Sequence, residues 1–379
     1  MVLGELALIL LCVALSHVAS LPLLLLKLPP IPAYIAVGIL LRSTLSETSG
    51  IVWENLVSFS LVFVGLHAGL SSKIRRDNIK RIALVSLVNV SVSAATVYIL
   101  LVLLTGDFIK SFLMSILLAN TATEGVLSLS RYTKHKSDAE VALEISIGDD
   151  IAVLLLSAVV LALMGTQQTY GILVSAAVIA GVTTFLSVFL RKNVDRAILN
   201  TVSIAILFIL VALTADNIGP LVGGYIVGIS LSSAASSGDP LLKVARNVEA
   251  LVDGLEHVNS LVFLPLVFTY IGLGVSISGA STQLVWLGLL GAVIGKHAAT
   301  LLLKKMNLVT PLSVREVAAL ITVRGSLESA IALTALKSNL FTAEEFTALI
   351  IISLLTYPIS TALVTLSRRS VSKAFQVLT

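Results

Sequence analysis

Apolar runs of about twenty residues follow one another along the whole sequence, separated by short charged or Gly/Ser/Pro-rich breaks. A helix of ~20 apolar residues crosses the hydrocarbon layer of a bilayer. There every backbone polar group must be satisfied within the chain. The runs read as thirteen spans, at about 2–20, 31–43, 51–71, 80–105, 109–131, 139–164, 171–190, 197–214, 218–233, 256–278, 283–303, 314–337 and 345–367. Composition agrees. Of 379 residues 57% are hydrophobic and only 12% charged, where a soluble domain carries about 25% charged residues. A chain this long has ample volume for a core, so core building does not explain the deficit; the surface itself is apolar. Coiled-coil, disordered, nucleic-acid-binding and disulfide-framework classes are excluded, and membrane lipid is the expected partner. The first run lacks a basic segment before it and a small-residue cleavage site after it, so it reads as a helix rather than a signal peptide.

Basic residues orient such a chain. Lys27, Lys73, Arg75, Arg76, Lys80, Arg81, Arg131, Lys134, Lys136, Arg191, Lys192, Arg196, Lys243, Arg246, Lys304, Lys305, Arg315, Arg368, Arg369 and Lys373 fall after odd-numbered spans or at the C-terminus, 20 on one side. Only Arg42, Lys110 and Lys337 fall on the other. The expected protein sits in the cell membrane as a multi-pass chain, with the N-terminus outside and the C-terminus cytoplasmic. The two basic residues left over, Lys296 and Arg324, lie inside spans.

An internal repeat is visible. Span two reads Tyr34-Ile35-Ala36-Val37-Gly38-Ile39 and span nine Tyr225-Ile226-Val227-Gly228-Ile229. Span three carries Leu61-Val62-Phe63 before Gly65-Leu66, and span ten Leu266-Val267-Phe268 before Gly272-Leu273. Both pairs lie seven spans apart, and an odd offset places the halves in opposite orientations. Inverted repeats with a site near the midplane on broken helices are the architecture of secondary transporters. Span five breaks its apolar stripe at Asn120-Thr121-Ala122-Thr123-Glu124-Gly125, and span twelve, seven further on, at Thr322-Val323-Arg324-Gly325-Ser326-Leu327-Glu328. Both compositions suit unwound crossings.

An ionisable side chain at bilayer depth costs at least ~2.5 kcal/mol by insertion scales. Span six nevertheless carries Asp149-Asp150 in mid-helix. Adjacent residues point ~100° apart on a helix, so one carboxylate can face an ion path and the other a fixed partner. A carboxylate in such a place holds either a proton or a small cation, and that competition is the chemistry of cation/proton exchange. Lys296 in span eleven supplies a counter-charge or a second proton carrier, provided that it does not snorkel toward Lys304. His297 reads as a packed or interfacial residue. Arg324, always charged, reads as a structural support of the second break, paired with Glu328 one turn on or with Glu144. Gly219-Pro220 and Gly223-Gly224 read as packing, and Tyr357-Pro358 as a kink.

With these residues in order the sequence resembles the monovalent cation:proton antiporter superfamily, in its thirteen-helix bacterial and archaeal sodium/proton branch. The resemblance covers nearly the whole chain: Phe63 to Leu70, Thr123-Glu124, Asp149-Asp150, Lys296 and Arg324-Gly325 match its landmarks. It implies an all-α polytopic fold of thirteen transmembrane helices, an inverted-topology repeat with two crossing broken helices. Residues 1–78 and 195–281 would form a dimerisation domain, 79–166 and 282–379 a core ion-translocation domain, and 167–194 a linker helix. Asp150 would be the main cation ligand and proton carrier, supported by Thr123 and Glu124, with Na+ on Asp150 and Thr123. Asp149 would pair with Lys296 and release it when the cation binds. Asn120, Thr121, Arg324 and Glu328 would support the broken helices. The implied activity is exchange of Na+, and of Li+, for protons by an elevator-like movement, electrogenic because paired aspartates go with two protons per sodium. A homodimer without cofactor is implied, with K+/H+ exchange as the alternative. Two positions depart from the family pattern: Glu124 replaces aspartate or serine, and Ser326 stands where many relatives have glutamate. With the last span ending near 367, no nucleotide-binding domain is expected.

Two other classes are weighed against this reading. An intramembrane aspartyl protease needs a second aspartate on another span, and none supplies one. A passive cation channel needs neither the paired lysine nor inverted broken helices.

Overall fold

The computed structural model describes residues 2–26, 28–45, 51–71, 79–164 and 254–376, together with 221, 223–225, 227, 228 and 232. Spans seven and eight, the proposed linker among them, Gly219-Pro220, and most of span nine lie outside the described residues. Among the described residues the chain is helix and loop, with no strand. The helices are α1 (Val2–Leu25), α2 (Ile31–Leu45), α3 (Ile51–Ser71), α4 (Ile79–Thr105), α5 (Phe108–Ala119), α6 (Thr123–Leu129) and α7 (Lys136–Met164). After the undescribed stretch come α8 (Leu264–Gly274), α9 (Thr282–Lys305), α10 (Val314–Leu320), α11 (Ser326–Lys337) and α12 (Ala343–Gln376). Seven helical stretches among the described residues are long and apolar enough to cross a membrane. Leu10, Leu25, Leu103, Phe108 and Trp286 are exposed, as a surface solvated by lipid tails requires.

The helix ends follow local chemistry. Asp107 caps α5 by accepting from the amides of Ile109 and Lys110, and Gly106 before it takes a positive φ of 66°. Ser281 and Ser313 cap α9 and α10 in the same way, the role in which Ser and Asp are strongest. Two helices run past the span ends expected at 20 and 367. α1 continues through Pro22 to Leu25. α12 continues through Pro358 to Gln376, because Arg368, Arg369 and Lys373 are good helix formers that need no bilayer.

The described chain divides into two compact units, Met1–Val18 with Tyr34–Ile79 and Ala158–Leu273, and Ala19–Ala33 with Lys80–Ser157 and Gly274–Thr379. In the first unit, glycines let backbones touch. A Cβ on Gly38 of α2 would collide with the Thr269 carbonyl and with the backbone of Gly272 in α8. A Cβ on Gly65 of α3 would collide with the Leu221 carbonyl, and one on Gly224 with the Val62 carbonyl. Gly228 presses on Leu66 and Gly69 in turn. Small residues at such crossings are the means by which helices associate where lipid removes any hydrophobic drive between them. Ser16 and Thr269 add a buried hydroxyl pair at 2.6 Å. A π turn over Asn259–Phe263 precedes α8, and His17 Nε2 lies 2.7 Å from the Leu261 carbonyl within it.

In the second unit α12 packs on α9, α10 and α11, and α10 on α9. Val126, Ile145, Leu303, Val317, Leu320, Ile321, Val323 and Val364 share one buried cluster, so apolar packing grips both broken segments from several helices at once. Buried carboxylates tie the loops at one end. Asp138 accepts from the amides of Leu312 and Ser313 at 2.7 and 2.9 Å, and Glu316 from the amide of Lys134 at 2.5 Å.

Gly38→Ala should lower thermal stability in detergent by about 1–3 kcal/mol, the range for overpacking a filled contact. Gly254→Ala, whose new methyl meets no atom within 4 Å, should leave it unchanged or raise it slightly. Equal melting of the two variants would show that the α2–α8 contact is not tight.

Candidate functional site

Two helical runs of the second unit are interrupted part-way along. α5 ends at Ala119 and α6 begins at Thr123, with Asn120 and Ala122 in extended conformation between them. α10 ends at Leu320 and α11 begins at Ser326. The two breaks lie against each other, and the amide of Ala122 donates to the Val323 carbonyl at 3.0 Å. A Cβ on Gly325 would strike Ala122 and the Glu124 carboxylate, and one on Gly125 the Val323 side chain. Glycine at both positions is therefore a requirement of the close approach.

Side chains take up the backbone groups that the second break frees. Arg324 Nη1 donates to the carbonyls of Ile321, Thr322 and Val323 at 3.1, 2.9 and 3.4 Å. Its own amide donates to Thr356 Oγ1 of α12 at 2.9 Å. The next amide, of Gly325, donates to Glu328 Oε1, and that of Ser326 to Glu124 Oε1 at 3.0 Å. A cation thus sits at the C-terminus of α10 and two carboxylates at the N-terminus of α11, the signs that helix dipoles favour. Here the structure departs from the sequence reading. Arg324 is fully buried and, among the described residues, forms no ion pair with Glu328 or Glu144. Glu144 pairs instead with Arg81 at 3.3 Å. The physical reason is that the three carbonyls of the unwound turn lie beside the guanidinium and take its Nη1.

Asp149 and Asp150 lie in mid-α7 with different surroundings. Asp149 is fully buried, and its Oδ2 accepts from Lys296 Nζ at 2.8 Å, Thr121 Oγ1 at 2.6 Å and Asn89 Nδ2 at 2.6 Å. Lys296 Nζ also donates to Thr121 Oγ1 at 2.8 Å. Lys296 is itself fully buried and does not snorkel to the interface. Asp150 is only partly buried. Its Oδ2 accepts from Thr123 Oγ1 at 2.8 Å, and Thr123 Oγ1 lies 3.2 Å from Ser146 Oγ. Among the described residues Asp150 has no ion-pair partner.

The fold thus brings Asp149, Lys296 and Thr121 into one cluster and Asp150 and Thr123 into direct contact. Asn120 Nδ2 donates to Glu328 Oε2 at 3.0 Å, joining the two breaks by side chains as well. Glu124 is placed at the start of α11 rather than hydrogen-bonded to Asp150. His297 Nδ1 lies 2.9 Å from the Val293 carbonyl of its own helix, a packed residue. The sequence reading passed over Asn89, Ser146 and Thr356. Asn89 carried a signal: with Ser86 and Ser93 it makes a polar line at helical spacing in an otherwise apolar span. Ser146, four residues before Asp150, shares its helix face.

The sequence matches the family described as "Sodium/hydrogen exchanger, transmembrane" over residues 7–366. No curated protein gives a significant match. Among solved structures, the sodium proton antiporter MjNhaP1 from Methanocaldococcus jannaschii at pH 8 is similar, with a TM-score of 0.66 at 15% identity, covering 97% of this chain and 99% of that one. The electron-microscopy map of MjNhaP1 matches with the same TM-score and identity over 96% of this chain and 95% of that one. At this identity the likeness is one of fold.

Removing one partner of a buried ion pair costs about 3–5 kcal/mol because the other charge stays buried, whereas an exposed pair contributes roughly 0–1 kcal/mol. Lys296→Ala should therefore lower thermal stability far more than Arg81→Ala, whose side chain is 48% exposed. A Lys296→Ala protein melting with the wild type would show that Asp149 does not stay ionised in its absence.

Proposed function

The chain belongs to the sodium/hydrogen exchanger family, an integral membrane transporter of cations and protons and not an enzyme, and from that premise we propose that it exchanges Na+, and Li+, for protons electrogenically. The observation that carries the reading is the asymmetry of the aspartate pair. Asp149 already has a buried cation in Lys296, whereas Asp150 is held by a neutral hydroxyl. Asp150 with Thr123 is then the place where Na+ and a proton compete, as cargo rather than as resident cofactor. Carboxylate and hydroxyl oxygens suit a small hard cation, and an ionised Asp150 favours Na+ only while it carries no proton. Asp149 and Lys296 separate when the cation arrives, and one proton leaves that pair in addition to the one from Asp150. Exchange of two protons for one sodium moves net charge, which couples transport to voltage at about 2.3 kcal/mol per charge per 100 mV.

The same reading gives the two compact units separate work. The second, which holds both breaks, the aspartates and Lys296, carries the site in an elevator-like movement. The first forms a homodimer through its helices. The reciprocal glycine contacts, α2 on α8 and α3 on the helix of Gly224, support an inverted repeat of thirteen helices. The counted basic residues support a cell-membrane protein with its N-terminus outside. Glu124 joins the cation site when the second break moves away from it, and its place at the Ser326 amide is its resting contact.

In proteoliposomes carrying a pH gradient, Na+ and Li+ should each release protons, and Asp150→Asn should reduce the rate by about a hundredfold or more, the size expected when an essential charge is lost. Thr123→Val should raise the apparent Na+ KM with a smaller effect on the maximal rate. Wild-type exchange in Asp150→Asn would overturn the assignment, and a K+ response matching that of Na+ would turn the reading to K+/H+ exchange.

A further inference from the structure

A threonine hydroxyl has one proton to donate and lone pairs to accept. Thr121 Oγ1 has more partners than that proton can serve. It accepts from Lys296 Nζ at 2.8 Å and lies in donating geometry to two acceptors, Asp149 Oδ2 at 2.6 Å and the Ile321 carbonyl at 3.2 Å. The first acceptor belongs to the buried ion pair and the second to the broken segment between α10 and α11. The Ile321 carbonyl is also the first of the three that Arg324 Nη1 holds. All these groups are fully buried, so no bulk water competes for the hydroxyl.

We propose that Thr121 is a positioning residue that couples the Lys296–Asp149 pair to the second broken helix through its single proton. With the pair closed, the proton goes to Asp149, the nearer and charged acceptor, since hydrogen bonds to charged groups are the stronger ones. When Asp149 turns away from the pair, the proton rotates to the Ile321 carbonyl. That carbonyl then has two donors, Arg324 and Thr121, and the second break is bound more tightly to the first. No covalent bond to Thr121 is made or broken in this exchange; one hydrogen bond replaces another. Thr123 cannot do this work, because its donating contacts are to Asp150 and Ser146 of α7 and not to the second break. Asn89 cannot either: its amide donates to Asp149 at 2.6 Å but reaches no group of the break.

The inference rests on the antiport reading and is tested beside it. The full chain is reconstituted in liposomes, and proton movement is followed as Na+ is varied. Thr121→Val, which keeps the shape and removes the hydroxyl, should lower the maximal rate about tenfold, the size of one lost hydrogen bond to a charged group, and leave the apparent Na+ KM within about twofold. Thr121→Ser, which keeps the hydroxyl, should stay close to wild type. In a Lys296→Met background, where the pair is absent, Thr121→Val should have no further effect, the mark of a coupled pair in a double-mutant cycle. If Thr121→Val does not assemble, Thr121→Ala carries the same comparison. A wild-type maximal rate in the hydroxyl-free variant overturns the proposal. So does a raised KM at unchanged rate, which makes Thr121 a cation ligand, or an equal loss in Thr121→Ser, which makes it packing alone. Wild-type liposomes without any cation-dependent proton movement overturn the antiport reading itself.

Discussion

A polypeptide that unwinds inside a membrane leaves amides and carbonyls with no water to bind, and the second unit of this antiporter family member is organised around meeting that need. The break between α10 and α11 frees the carbonyls of residues 321–323 and the amides of residues 324–326. Arg324, Thr356, Glu328 and Glu124 take them up. The facing break contributes a backbone bond from Ala122. Remove the guanidinium and the Thr322 carbonyl loses its donor in the interior, where an unmade hydrogen bond carries the full desolvation penalty, while Ile321 and Val323 keep Thr121 and Ala122. Arg324 is thus better understood as a piece of backbone support than as a charge awaiting a carboxylate.

With the two breaks secured, the aspartates of α7 acquire unlike environments at almost no distance from each other. Asp149 is surrounded by donors from three elements: Asn89 of α4, Thr121 of the first break and Lys296 of α9. Asp150, one residue on, keeps a half-open position beside Thr123. Helix geometry alone turns the two side chains ~100° apart, and the packing then gives one of them a lysine and the other a hydroxyl. A site that must accept a cation and return it needs one carboxylate that is available and a charge balance that can change. In the proposed reading those two needs fall on neighbouring residues.

Much of this was legible in the sequence because charge is scarce. With 12% charged residues, each ionisable group in an apolar run stands out: Asp149, Asp150 and Lys296 are legible from their flanks, and the family resemblance implies that Asp149 takes the lysine. The polar interruptions at Asn120–Gly125 and Thr322–Glu328 marked both breaks, and their ends came within a few residues of the helix termini. Neutral partners were harder to read. Asn89, Ser146 and Thr356 belong to residue types that occur throughout membrane helices; spacing hints at the first two, and their distances to Asp149, Thr123 and the Arg324 amide single out all three. The partners of Arg324 are hidden for a related reason: a sequence displays carboxylates but not the carbonyls that an unwound turn frees.

The sequence by itself determined that the chain is an all-helical membrane protein and which few charges interrupt its apolar runs. These follow from composition and spacing, since the bilayer penalises every exposed polar group along a span regardless of its neighbours. How those charges are placed belongs to the tertiary structure. It placed Lys296 on Asp149 rather than at the interface, turned Arg324 to carbonyls rather than to Glu328, and set Glu124 at the start of α11. The placing of Lys296 and Glu124 depends on contacts between residues 147 and 202 positions apart, and a hydrogen bond of under 3.5 Å is fixed by how helices cross, which no local pattern records.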